Sequence, residues 1–204
     1  MPGETLGSPR VLYAPWRERY LRAMADSEKP SSTSPDAPPQ NLPGSSGCFL
    51  RDYWLTPEHD EQNLVVLRKT DDQAGPSCGG LVMLNLYPYA NGHLLVSLGE
   101  SRPRILDYSQ AQRAALWALV EDALAIMDRA LAPQGINVGV NEGRAAGAGV
   151  PQHVHVHLVP RWLGDVNFMT VVGAVRVNPS APIDMAKRYR EAWTSILTER
   201  ATQK

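Results

Sequence analysis

Three histidines alternate with hydrophobic residues in the stretch from His153 to Val159 of a 204-residue chain. Strict alternation is typical of a β-strand, in which every second side chain points to the same face of a sheet. We therefore predict a strand over residues 152–159 that gathers three imidazoles on one face and packs hydrophobic side chains on the other. The imidazoles belong to His153, His155 and His157, and the hydrophobic side chains to Val154, Val156 and Leu158.

Three aligned imidazoles could form a solvated polar face, a metal site or a catalytic site. A solvated strand face would normally carry threonine, lysine, serine or glutamate, which argues against the first interpretation. Alternate residues of a flat strand lie about 6.6 Å apart, which is wide for three bonds to one metal, so zinc is the second choice. A neutral imidazole is a nucleophile near pH 7, and a neighbouring imidazole can fix its tautomer or donate a proton. We therefore favour covalent catalysis.

A glycine-rich loop from Gly143 to Gly149 precedes the histidines. Glycines allow the backbone to approach a ligand closely, and consecutive N–H groups can hold phosphate oxygens. Together, the loop and the histidines predict nucleophilic attack at phosphorus, with backbone amides stabilising the developing charge.

The rest of the chain predicts an α+β domain in which an antiparallel sheet is flanked by two main helices. Hydrophobic runs predict the strands, and the turn-rich segment 87–92 joins two of them in a hairpin. The first helix begins with a capping box between Ser109 and Gln112, and Pro133 and Gly135 are expected to end it. The predicted strands are 63–68, 81–86, 93–98 and 136–140, and the predicted helices are 109–131 and 182–197.

The N-terminal quarter of the chain has a different composition. In segment 26–47, 13 of 22 residues are proline, serine or glycine, which predicts a linker or a long surface loop. Residues 1–25 before it form an N-terminal arm, and residues 48–204 form the main domain. Helical spacing in the arm predicts a short amphipathic helix that docks on the core or contacts a second subunit. Its apolar stripe consists of Leu12, Trp16, Tyr20 and Met24.

Charge and cysteine content narrow the class of protein. The 20 basic and 21 acidic residues give a net charge of -1, which argues against a nucleic-acid surface or a polybasic membrane anchor. The two cysteines do not make a disulfide framework, and neither a signal-peptide pattern nor a run of 18 apolar residues is present. We expect a cytoplasmic protein that binds neither nucleic acid nor a membrane.

The histidine stretch resembles the defining motif of the histidine triad family. The segments 84–96 and 141–149 resemble the family's nucleotide-facing hairpin and phosphate loop. The segments 160–169 and 14–17 are similar to a bacterial branch that contains diadenosine tetraphosphate phosphorylases.

The resemblance implies a role for each site residue. His155 would attack the α-phosphorus and carry a nucleotidyl group, His153 would support it through hydrogen bonding, and His157 would assist the leaving group. His93 would lie near these three, and Asn85 would reach the ribose. The phosphate-binding residues would be Asn141, Gly147, Ala148 and Gly149, with Gln152 able to swing in. Leu84, Leu86 and Leu95 would line the base pocket or belong to the core.

The implied activity is the cleavage of dinucleoside polyphosphates by phosphorolysis or hydrolysis through one covalent intermediate. One alternative is a hexose-1-phosphate nucleotidyltransferase, although that branch carries glutamine at the position of His157. Another is a nucleotide-binding partner protein whose catalysis is incidental. Replacing His155 by alanine would separate an enzyme from a binder.

The resemblance also bears on cofactors and assembly. Some relatives carry a Cys-x-x-Cys zinc knuckle, but here Cys48 is followed by Arg51 at the second position, and Cys78 lies 30 residues away. We therefore predict no structural zinc, no required cofactor, a small buried role for Cys48, and AMP as a nucleotide that could bind. We expect a homodimer. Trp162, Asn167 and Phe168 would cover the second half of a dinucleotide or pack under a loop.

Overall fold

The computed structural model describes residues 46–70, 76–165 and 179–202. The predicted arm 1–25, nearly all of the predicted linker 26–47, and the residues Asn167 and Phe168 lie outside this range. The predicted domain boundaries and the roles of the arm therefore stay predictions.

Five antiparallel strands form one sheet in the order β1-β2-β3-β5-β4, as the α+β prediction requires. The strands are β1 Val65–Lys69, β2 Gly80–Leu84, β3 Leu94–Leu98, β4 Gly135–Val140 and β5 Val156–Arg161. The predicted hairpin is confirmed, because β2 and β3 pair up to Leu84 and Leu94 on either side of the turn.

In the described ranges, three α-helices accompany the sheet: α1 Phe49–Leu55, α2 Gln110–Leu131 and α3 Pro182–Thr202. The two long helices, α2 and α3, both pack on one face of the sheet and enclose the larger hydrophobic cluster. A smaller cluster lies on the other face, where Leu50 of α1 packs with sheet residues. Its sheet members are Val65, Leu81, Met83 and Leu95. The second face is therefore the one that can carry a site.

Helix α2 begins at the predicted capping box and ends at Leu131 as predicted, but the residue that caps its end differs. The Ser109 hydroxyl accepts from the Gln112 backbone N–H, and the Gln112 side chain accepts from the Ser109 N–H, which completes the capping box. At the other end Ala132, not a glycine, takes the left-handed conformation with φ 44°. Gly135 instead begins β4, so the predicted role of Gly135 in ending the helix is wrong.

Helix α3 is longer than predicted, reaching Thr202 rather than 197. The last turn of α3 is polar, so hydrophobic spacing does not predict it. Arg200 holds this turn in place through an ion pair with the buried carboxylate of Asp122 in α2, at 3.0 Å. No helix in the described ranges is long and apolar enough to cross a membrane.

The predicted strand 152–159 is wrong at its beginning, since β5 starts only at Val156. His153 lies in a bend and His155 just before the strand, so only His157 of the three histidines is part of the ladder. The backbone leaves the sheet here because the Val154 N–H donates to the Arg102 carbonyl at 2.7 Å instead of to a neighbouring strand. The alternation still predicts correctly which side chains enter the core, because Val154, Val156 and Leu158 all pack in the larger cluster.

Candidate active site

The histidines gather on the sheet face opposite the two long helices. His157 follows Val156 and precedes Leu158, which both face the larger core, so its imidazole points to the other side. It pairs across the sheet with Leu95 of β3 and Gly139 of β4. The ring centroids of His155 and His157 are 4.8 Å apart, and those of His93 and His157 are 5.2 Å apart. The structure thus brings together the histidines predicted to form the site.

A single backbone hydrogen bond sets the tautomer of His155. Its Nδ1 lies 2.9 Å from the carbonyl oxygen of His153, and a carbonyl can only accept, so the Nδ1–H donates. A neutral ring carries one such proton, which leaves the His155 Nε2 with its lone pair. Burial lowers the pKa of His155, with partial opposition from this hydrogen bond, because an imidazolium would lose hydration inside the protein. His155 is therefore arranged as a nucleophile.

The imidazole of His153 is fully buried and anchored on both sides. Its Nε2–H donates to the Leu98 carbonyl oxygen at 2.8 Å, and its Nδ1 lies 3.2 Å from the Sγ of Cys48. Burial lowers the pKa of His153 to about 4, and burial raises the pKa of the Cys48 thiol. Both groups therefore stay neutral near pH 7, and the thiol is the donor to the Nδ1.

The predicted buried role of Cys48 is confirmed, since it is 3% exposed. Its contact with His153 was not foreseen, because the two residues lie 105 positions apart and nothing local connects them.

A second chain of hydrogen bonds fixes His93 and His157. The backbone N–H of Tyr89 and the side-chain amide of Asn85 donate to the His93 Nδ1 at 3.1 and 3.2 Å. The proton of His93 is therefore on Nε2, which lies 3.0 Å from the His157 Nδ1 and donates to it. His157 then carries its own proton on Nε2. Burial, with a smaller contribution from His155, lowers the pKa of His157 to about 4.

The two series of hydrogen bonds give the adjacent rings of His155 and His157 complementary protonation. His155 offers an unprotonated nitrogen, and His157 offers an N–H. A nucleophile beside a fixed hydrogen-bond donor suits the transfer of a group through a covalent histidine intermediate.

The residues around Cys48 do not fit a zinc ion. The second position of the cysteine spacing holds Arg51, whose guanidinium donates to the Gly99 carbonyl oxygen. Within the described ranges, no group of three or more histidine, cysteine, aspartate or glutamate side chains is placed to hold a metal. The absence of structural zinc stays a prediction.

The loop predicted to bind phosphate connects β4 to the triad. Asn141 follows Val140, which pairs with Val156 beside the histidines. The N–H groups of Gly147 and Ala148 donate within the loop, to the carbonyls of Arg144 and Gly143. The Gly149 N–H has no protein acceptor among the described residues. Of the three predicted backbone donors, Gly149 is therefore the one available to a ligand.

Gln152 does not point into the site. Its side-chain amide donates to the Gly47 carbonyl oxygen at 3.0 Å, and its backbone carbonyl accepts from the Ser101 hydroxyl at 2.9 Å. In this arrangement the side-chain amide nitrogen is engaged away from the site, and the prediction that Gln152 could swing toward the phosphates stays a prediction.

The predicted base-pocket residues separate in the structure. Leu84 packs in the larger core, Leu95 lies on the histidine face, and Leu86 is exposed. Leu84, Leu86 and Asn85 together border a pocket of about 350 Å³ whose opposite wall is the segment 179–182 and Met185. Their roles toward a base stay predictions.

The fold and the four-histidine cluster define a histidine triad protein, and comparison with known proteins agrees. The HIT domain family matches residues 79–162. An AP-4-A phosphorylase from Mycobacterium tuberculosis is 35% identical over 185 residues, which cover 89% of this chain and 83% of the relative. The chain therefore belongs to the histidine triad family.

Two further relatives extend the comparison. A bis(5'-nucleosyl)-tetraphosphatase from Schizosaccharomyces pombe is 33% identical over 82 residues, which cover 40% of this chain and 44% of that protein. The structure of a zinc-bound histidine triad family protein from Mycobacterium smegmatis superposes with a TM-score of 0.57. It is 22% identical, and the match covers 74% of this chain and 96% of that one, which supports the fold.

Proposed function

We propose that the protein is an enzyme that cleaves dinucleoside polyphosphates at the α-phosphorus through a nucleotidyl group carried on His155. The observation that carries this proposal is the hydrogen bond from the His155 Nδ1 to the His153 carbonyl, because it leaves the Nε2 lone pair as the nucleophile. The names of the relatives, an AP-4-A phosphorylase and a bis(5'-nucleosyl)-tetraphosphatase, support this class of substrate.

Two steps complete the reaction. The His155 Nε2 bonds to the α-phosphorus while the bond from that phosphorus to the bridging oxygen breaks, and the leaving nucleotide keeps the electron pair. The Nε2–H of His157 donates a hydrogen bond to the oxygen that gains charge. An acceptor oxygen then bonds to phosphorus, the N–P bond breaks, and His155 regains its lone pair. With water as acceptor, one proton is released to solvent.

We propose inorganic phosphate as the acceptor. A Cβ at Gly149 would meet no atom within 4 Å, so the loop leaves open space at this position. The Gly149 N–H is also available to an anion, and a relative that matches 89% of this chain is an AP-4-A phosphorylase. A phosphate ion seated there would compete with water for the intermediate.

The test is to incubate the protein with diadenosine tetraphosphate, with and without inorganic phosphate, and to identify the nucleotides released. ADP and ATP, formed only when phosphate is present, are the expected result. AMP and ATP formed without phosphate would contradict the choice of acceptor and leave a hydrolase. AMP binding without any turnover would leave the nucleotide-binding partner protein, and turnover only with a nucleotide sugar and a hexose 1-phosphate would leave the nucleotidyltransferase.

We also propose a homodimer in the cytoplasm that needs no metal. Strand β4 is the last strand of the sheet, pairs only with β5 within the described ranges, and has mostly exposed side chains. A strand edge of this kind can pair with a second copy. Sedimentation equilibrium and metal analysis of the purified protein test these two points: a monomer, or stoichiometric zinc, would contradict them.

A further inference from the structure

The ring of Tyr89 lies against two of the site histidines. Its centroid is 5.7 Å from that of His157 at an interplanar angle of 20°, which is a stacked arrangement. It is 4.8 Å from the His93 ring at 38°. The sequence placed Tyr89 in a turn and assigned it no role, yet it contacts both members of the His93–His157 hydrogen bond.

The backbone and the side chain of Tyr89 act on the histidines in different ways. The backbone N–H donates to the His93 Nδ1 and so fixes the tautomers of His93 and His157. Any residue except proline would supply this donor. The side chain lays its ring against both imidazoles, and Tyr89 as a residue is 50% exposed, so the ring has one side toward the histidines and part of its surface toward solvent.

We propose that the Tyr89 ring is a positioning element of the active site: it covers the His93–His157 pair and keeps water away, so that His157 stays neutral and directs its Nε2–H toward the substrate. The role in turnover rests on the proposed function. The effect on His157 itself does not, and it can be measured without substrate.

The surroundings of His157 make its protonation state sensitive to this cover. Among the described residues, the titratable groups whose rings contact it are the imidazoles of His155 and His93 and the phenol of Tyr89. From β4 its direct partner is Gly139, which has no side chain. Protonating the His157 Nδ1 would place a second N–H against the Nε2–H of His93, so the charged form would lose this hydrogen bond and would depend on hydration. An apolar ring that limits access of water therefore opposes protonation.

The experiment is an NMR titration of the histidine side chains in the full chain, with the tautomer read from the imidazole nitrogen shifts. In Tyr89→Ala, we expect the pKa of His157 to rise by about one unit or more, because burial effects on this scale are common for covered groups. The tautomers of His93 and His157 should stay as in the unmodified protein, since the backbone donor remains. Tyr89→Phe keeps the ring and should keep the low pKa of His157.

Tyr87→Ala is the matched control, because Tyr87 is an exposed tyrosine of the same turn, while the described ring contacts of His93 and His157 are made by Tyr89 and by other histidines. Its His157 pKa should equal that of the unmodified protein. An unchanged His157 pKa in Tyr89→Ala would overturn the proposal. So would a raised pKa in Tyr89→Phe, which would assign the effect to the hydroxyl, or a changed tautomer in Tyr89→Ala, which would mean that the turn itself had moved.

Steady-state kinetics test the role of the Tyr89 ring independently. We expect Tyr89→Ala to lower kcat by roughly 10- to 100-fold with little change in KM, and Tyr89→Phe to recover most of this loss, because the defect lies in a positioned donor rather than in substrate binding. If no dinucleoside polyphosphate is turned over by the unmodified protein, the proposed function fails while the titration still decides the role of the ring. A KM effect alone would contradict positioning.

Discussion

The Nδ1 of His155 donates to the backbone carbonyl of His153, two residues earlier, at 2.9 Å. The hydrogen bond that His153 gives to the proposed nucleophile therefore comes from its main chain. Its side chain is engaged elsewhere, with Leu98 and Cys48. The tautomer of His155 is thus set without a hydrogen bond between the two imidazoles.

Replacing His155 should abolish turnover without unfolding the protein. We expect His155→Ala to lower kcat for diadenosine tetraphosphate by at least about 1,000-fold, because loss of a nucleophile costs far more than loss of a single contact. His59→Ala is the matched control, since His59 lies on an exposed turn outside the site. Mass spectrometry of the quenched protein should detect a nucleotidyl adduct that is absent from His155→Ala. An adduct on another residue would reassign the nucleophile.

Replacing Cys48 tests the anchor of His153. Cys48→Ala removes the donor to the His153 Nδ1 and leaves a small cavity, so the free energy of unfolding should fall by about 1–3 kcal/mol and kcat should fall with it. Cys48→Ser retains a donor and should retain more activity. Cys78→Ala, at the other buried cysteine, should cost stability but not kcat. Equal kcat in the alanine and serine variants of Cys48 would show that the thiol does not position His153.

The pH dependence of stability should reveal the neutral histidines. Because the pKa of His153 is lowered from 6.5 to about 4 in the folded protein, the unfolded chain binds more protons in this interval. Stability is therefore fully present above about pH 6.5 and is lost as the pH falls toward 4. For His153 alone the loss amounts to about 3 kcal/mol. Urea unfolding between about pH 7 and pH 4 measures it.

His153→Asn should reduce this dependence on pH, even though the variant is less stable at every pH. A free energy of unfolding that stays constant from about pH 7 to pH 4 would mean that His153 is not buried in its neutral form.

Two glycines beside the histidines should respond differently to the same change. Gly92 has φ +87°, and a Cβ there would lie 2.6 Å from both the Leu131 Cδ1 and the Tyr189 hydroxyl oxygen. We expect Gly92→Ala to lower the free energy of unfolding by about 2–4 kcal/mol. Gly139→Ala should change it by less than about 0.5 kcal/mol, because a Cβ at that position meets no atom within 4 Å. Thermal or urea unfolding of the two variants measures this difference. Equal losses in free energy of unfolding would contradict the packing described around Gly92.

Local patterns in the sequence were sufficient for most of the fold. The capping box from Ser109 to Gln112 is a local signal and was confirmed, as was the hairpin around 87–92. The alternation after His153 also predicted which side chains enter the core. These features depend on neighbours along the chain, so a single sequence contains them.

The rest of the site depends on contacts that no local pattern encodes. Cys48 meets His153 across 105 positions, and Tyr89 reaches His157 only because β3 pairs with β5. The departure of His153 and His155 from the strand follows from a hydrogen bond to the distant Arg102 carbonyl. A single sequence shows the residue types at these positions but not that they meet.

The hydrogen bond between His93 and His157 closes a span of 64 residues that includes all of α2 and β4. Contacts between such distant positions form slowly during folding, because the entropy cost of closing a long loop precedes the favourable energy of the contact. On refolding from denaturant, helical circular dichroism should therefore return before any nucleotide is released. The delay between the two signals would measure how long after helix formation β5 pairs with β3 and joins His157 to His93.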